Sequence, residues 1–77
     1  MTRLEFLKLL EQYHINTELV SFDLDVRDGY CVRKNRLCWE VFVKERGKEY
    51  DLVGFPSESN ALHYLFNELL SIYGKPD

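Results

Sequence analysis

Between residues 3 and 13 the apolar side chains Leu4, Phe6, Leu7, Leu9, Leu10 and Tyr13 recur at helical spacing, and Glu5, Lys8, Glu11 and Gln12 fill the opposite side. The spacing predicts a helix over about residues 2–14. Thr2 is a natural N-cap, Glu5 three residues later completes a capping box, and Asn16 is a reasonable stop. Residues 17–27 read less clearly. Phe22, Leu24 and Val26 alternate with Asp23 and Asp25, the period of a half-buried strand, but Asp is a poor strand former. An edge strand and an extended loop fit this segment equally. Asp28-Gly29 then marks a turn.

From Tyr30 onward the pattern is that of antiparallel strands over about residues 30–34, 37–45 and 48–55, with a first turn near Asn35-Arg36 and a second at Arg46-Gly47. A two-residue loop at Arg46-Gly47 sets Val43 against Tyr50, Val41 against Leu52, and Trp39 against Gly54. It also pairs Lys44 with Glu49, opposite charges across strands. In this register Tyr30, Val32, Trp39, Val41, Val43, Tyr50 and Leu52 share a core face. Cys31, Arg33, Cys38, Glu40, Phe42, Lys44, Glu49, Asp51, Val53 and Phe55 share a mixed reverse face, open to solvent or to a partner. The final helix is expected over residues 58–73. Pro56 blocks an earlier start, Ser57 caps it, Glu58 suits its dipole, and Gly74 ends it. Ala61, Leu62, Leu65, Phe66, Leu69, Ile72 and Tyr73 form its predicted buried stripe.

The elements together predict an α+β fold: two layers in the order α-β-β-β-α, a small antiparallel sheet with both helices on one face. Seventy-seven residues make one domain, 1–77, close to the lower size at which a core suffices without staples. Such a chain has little room for an enclosed substrate cavity. Arg3, Glu5 and Lys8 interrupt the N-terminal apolar residues, so neither a signal peptide nor a membrane span of roughly 20 apolar residues is expected. A cytoplasmic, membrane-free protein is the expectation, and Cys31 and Cys38 fit a reducing compartment better than a disulfide scaffold.

Candidate chemistry is sparse. His14 and His63 are far apart in sequence, and neither cysteine is placed at a helix start where a thiolate would be favoured. Cys31 and Cys38 could lie diagonally on neighbouring strands, where two packed thiols are the plainer reading than a redox pair. With no second cysteine pair and no glycine-rich phosphate loop, no metal, no cofactor and no catalytic residues are expected, and the chain is read as not an enzyme. The element order invites comparison with double-stranded RNA-binding domains, which hold phosphates with a basic cluster at the start of the last helix. Here that position is Ser57-Glu58-Ser59-Asn60, and the helix carries no Lys or Arg. With a net charge of −3, nucleic acid is not an expected partner.

Charge is unevenly spread. Glu18, Asp23, Asp25 and Asp28 cluster with Arg27 as the one base among them, and Arg33, Lys34 and Arg36 follow. This is either a solvated loop before a basic turn or an acidic lip for a basic partner. Glu40, Phe42, Glu49 and Asp51 on the reverse face form a second candidate surface.

The stretch W-x-V-F-x-x-E-R-G from Trp39 to Gly47, followed by F-P-S-E-x-x-A from Phe55 to Ala61, resembles a pattern of small bacterial immunity proteins of polymorphic toxin and contact-dependent inhibition systems. Tyr30-x-Val32 matches as well. The resemblance covers roughly a third of the chain, and each matching residue also has a scaffold role as core anchor, turn or cap. It implies a protein that neutralises a cognate secreted toxin, such as a nuclease, by occluding its basic active site. Glu18, Asp23, Asp25 and Asp28 would then imitate phosphates, with Phe22 or Tyr30 as the apolar anchor that such interfaces need. The alternative is a non-catalytic interaction or regulatory module, with a homodimer through the outer strand or the reverse face as one form.

Overall fold

The computed structural model describes residues 1–22 and 28–74. Its elements are helix α1 (Arg3–Gln12), strands β1 (Val20–Phe22), β2 (Gly29–Asn35), β3 (Cys38–Glu45) and β4 (Lys48–Phe55), and helix α2 (Glu58–Tyr73). The fold is small α+β, with both helices on one face of a mixed sheet ordered β1-β2-β3-β4.

The capping box at the start of α1 is closed at both ends. The Glu5 N–H donates to Thr2 Oγ1 at 3.1 Å, and the Thr2 N–H donates to Glu5 Oε1 at 2.9 Å. The helix stops at Tyr13, earlier than expected, because His14 turns left-handed at φ 59°. Asn16 does not stop α1. Its side chain accepts from the Glu18 N–H at 3.0 Å and caps a separate 3-10 turn, Thr17–Leu19.

That turn delivers the chain into β1, which the sequence pattern did not resolve. The strand begins at Val20, upstream of the alternating aspartates, and pairs parallel to β2 with Val20 opposite Tyr30 and Phe22 opposite Val32. The sheet is therefore mixed, where a purely antiparallel one was expected. Asp23 and Asp25 lie outside the described residues.

Two tight turns join β2 to β3 and β3 to β4. In the first, Arg36-Leu37 links Asn35 to its partner Cys38, with Arg36 at φ 52°. In the second, Arg46 (φ 51°) and Gly47 (φ 81°) form the doubly left-handed turn that matches strand twist. The predicted register holds next to that turn: Val43 faces Tyr50 and Lys44 faces Glu49. It then slips by one, so that Val41 faces Val53 and Trp39 faces Phe55. Asp51, at φ 54°, is the positive-φ residue within the β-bulge that causes the slip. Asp tolerates this conformation better than most residues. The slip corrects the predicted faces, because Val53 and Phe55 turn toward the helices, and the Phe55 ring packs 5.0 Å from that of Tyr64.

The core lies between the layers. Phe6 and Leu10 from α1 and Ala61, Leu62, Leu65 and Leu69 from α2 bury against Val20, Val32 and Val41. Phe22 meets Phe6 edge-on at 6.2 Å, and Tyr13 meets Phe66 at 5.6 Å. Arg3 ties the helices together by donating from Nε to Glu58 Oε2 at 2.7 Å. Helix α2 keeps its predicted limits and its Ser57 cap, which accepts the Asn60 N–H at 3.1 Å. Its buried stripe ends at Leu69, however. Ile72 and Tyr73, expected in the core, are 56% and 43% exposed, because the helix runs on past the packed region. Gly74 closes the helix with an ordinary φ of −65°. The need for glycine there is steric, since a Cβ would sit 2.5 Å from the Leu70 carbonyl oxygen.

Candidate binding cleft between the last helix and the sheet

The reverse face of the sheet is organised by one arginine. Arg33 donates from Nε to Glu40 Oε1 at 2.7 Å, and from Nη1 and Nη2 to the two oxygens of Glu49 at 2.7 and 3.1 Å. Asn35 Nδ2 donates to the remaining Glu40 oxygen at 3.2 Å. The same guanidinium lies 4.4 Å from the centre of the Phe42 ring. Arg33 holds the Glu40 carboxyl below its ordinary value, and Glu49 and Glu40 in turn hold Arg33 protonated.

The four residues of the second candidate surface do not form one exposed patch. Glu40 is 8% exposed and Phe42 only 1%, and Glu49 is exposed but engaged by Arg33. Asp51 lines a cleft on the helix side, because the bulge carries it there. The expected diagonal arrangement of Cys31 and Cys38 is corrected too. Cys31 pairs with Phe42 and Cys38 with Asn35, four residues further along β2.

The first candidate set is divided. Glu18 and Asp28 are exposed, whereas Phe22 packs on Phe6 and beneath the Arg3 guanidinium, 4.8 Å from its ring centre. Because β1 and β2 run parallel, the residues preceding each emerge at the same end of the sheet. Leu19 and Gly29 meet there closely enough that a Cβ at Gly29 (φ 121°) would lie 3.0 Å from the Leu19 carbonyl oxygen. Glu18 and Asp28 flank this contact in sequence. Tyr30, one residue past Gly29, faces the helix layer.

At that same end, α2 and the bulged β3–β4 ribbon diverge and leave an open cleft of about 450 Å³. Tyr30, Val43, Leu52, Tyr64 and Ile72 supply its rings and aliphatic walls, and Asp51 and Glu68 supply two carboxylates. No Lys or Arg among the described residues lines it. Among the described residues neither carboxylate has an ion-pair partner. Burial pushes the Tyr30 hydroxyl above its ordinary value, and negative charge on Tyr73, Glu68, Asp51 and Tyr64 pushes it the same way. Apolar flanks extend the cleft outward: Tyr50 and Leu52 are each 46% exposed.

Sequence reasoning reached Tyr30 and Asp51 but did not join them, and it missed Tyr64 and Glu68. The available signal was a surplus: the stripe of α2 carries more apolar side chains than a core ending at Leu69 can cover.

His14 and His63 are both exposed, one just after α1 and the other on α2. Among the described residues no group of three or more His, Cys, Asp or Glu side chains is arranged to hold a metal ion. No described helix is long and apolar enough to cross a membrane. No family model matches the sequence, and no curated protein or solved structure matches it either.

Proposed function

We propose that this chain is a non-catalytic inhibitor, an immunity protein that binds a cognate bacterial toxin and covers its basic, nuclease-type active site. The observation that carries this reading is the gathering of exposed Glu18 and Asp28 at the same end as the Asp51–Glu68 cleft and its apolar rim, an end to which the β3–β4 turn also brings Lys44, Arg46 and Lys48. Acidic groups around an apolar centre suit the surface of an enzyme that holds a phosphate backbone. Charge complementarity speeds encounter, and the apolar anchors slow release. The net charge of −3 and the motif from Trp39 to Ala61 support the same reading.

The test is capture of partners by the tagged chain from its native host. The captured protein is then expressed in a susceptible bacterium with and without this chain. Protection from a toxic activity supports the reading. If the captured partner proves harmless, or cells die whether or not this chain is present, the inhibitor reading is rejected.

A second reading has its own observation. Strand β4 is an outer strand of the sheet, with Tyr50 and Leu52 exposed along it. Pairing of two such edges would make a homodimer and a continuous sheet. Sedimentation equilibrium over a rising concentration series separates the two, since a monomer throughout excludes the dimer.

A further inference from the structure

We infer that the cleft between α2 and the β3–β4 bulge is a socket for one arginine side chain of a protein partner, its guanidinium held by Asp51 and Glu68 and flanked by Tyr30 and Tyr64. This rests on the protein-binding reading above and names the chemistry by which such a partner is recognised.

The argument is one of complementarity. Two carboxylates with no cationic partner among the described residues border a cleft whose other side chains are aromatic or aliphatic. Asp51 and Glu68 are exposed at the edge of the cleft, where a cation can reach them and gain charge-assisted hydrogen bonds. Tyrosine rings attract the same cation through their faces. The side chain that combines a long apolar stem with a planar, multiply donating head is arginine. Lysine offers a compact, strongly hydrated charge that neither stacks nor forks.

An open cleft of about 450 Å³ has room for a side chain as long as arginine together with the partner surface that carries it. A macromolecular source is favoured by the mouth of the cleft. Leu52 and Ile72 stand about half exposed at its rim, with Tyr50 and Tyr73 beside them, and a free small molecule would leave these uncovered. Among the described residues, Arg3 and Arg33 are already engaged elsewhere. Arg3 is engaged by Glu58 near the start of α2, and Arg33 by Glu40 and Glu49 on the opposite face.

The experiment uses the full chain, labelled for amide NMR, and three probes: N-acetyl-arginine amide, N-acetyl-lysine amide and N-acetyl-citrulline amide. The arginine probe is expected to give saturable shifts confined to the amides around Tyr30, Asp51, Tyr64 and Glu68. Citrulline has the same shape without the charge and should bind at least roughly tenfold more weakly, as loss of a charge-assisted hydrogen bond implies. The double variant Asp51→Asn, Glu68→Gln should lose the arginine response by a similar factor while keeping wild-type dispersion elsewhere. A single Glu68→Gln variant provides the same comparison should the double variant misfold. Absence of saturable shifts at these positions overturns the socket, as does a citrulline response equal to that of arginine. An equal lysine response overturns the choice of guanidinium. A captured toxin with a silent cleft would reject the socket and keep the inhibitor, and the converse result would do the reverse.

Discussion

Arg33 shows how one side chain can decide what a face is for. It binds two carboxylates and covers Phe42, so a strand face that looks open in the sequence becomes closed at its centre. Phe42 is accordingly a core residue outside the main core. Phe42→Ala should cost about 3–5 kcal/mol, as large aromatic truncations do. Trp39 is only half-buried, so Trp39→Ala should cost less, and urea denaturation of the two variants checks the order. Glu40 gives a second prediction. Its carboxyl titrates below the ordinary 4.5 because the folded chain favours the charged form. Its stabilising contribution is therefore complete above the unfolded value and lost as pH falls through the lower folded one. The midpoint of urea denaturation should fall as pH drops below the ordinary 4.5, and less steeply in Glu40→Gln. Equal slopes would mean that the Arg33–Glu40 pair is not the acid-sensitive contact. At this scale the sequence placed Glu40 and Phe42 on the correct side of the sheet. It could not place them under cover, because alternation reports direction and says nothing of a long side chain folding back across its neighbours.

The elements were legible where local chemistry specifies them. Ser57, Pro56 and Gly74 bracket α2, and Thr2 with Glu5 starts α1, so these limits are specified by local caps rather than by packing. The Arg46-Gly47 turn set the first rungs of the β3–β4 ladder. Legibility ended at Asp51, since a polar residue in an outer strand looks the same whether it is paired or bulged. The three residues of β1 carry too little pattern to declare a strand, and their partner comes from the far side of a turn. Both turns place an arginine at positive φ, where it is strained. Arg46→Asn, which favours the left-handed conformation, should stabilise the chain by about 0.5–1 kcal/mol. Thermal denaturation checks this, and a lower midpoint would show that the arginine makes a compensating contact.

On the scale of the whole molecule, exposed Glu18 and Asp28, the mixed-charge β3–β4 turn and exposed apolar side chains meet at one end. The parallel pairing of β1 with β2 brings Glu18 and Asp28 together, and the bulge and the overhanging turn of α2 open the cleft next to them. These two parts should contribute differently to binding. Exposed carboxylates act over distance and govern encounter, whereas groups enclosed by a partner govern release. Glu18→Lys with Asp28→Lys should therefore slow association with a captured basic toxin and flatten its dependence on salt, with little change in dissociation rate. Both residues are exposed, so the thermal midpoint should stay close to that of the unaltered chain. Surface plasmon resonance at several ionic strengths separates the rates. An association rate insensitive to these reversals would remove Glu18 and Asp28 from the interface, and faster dissociation alone would place the two carboxylates inside the contact rather than around it.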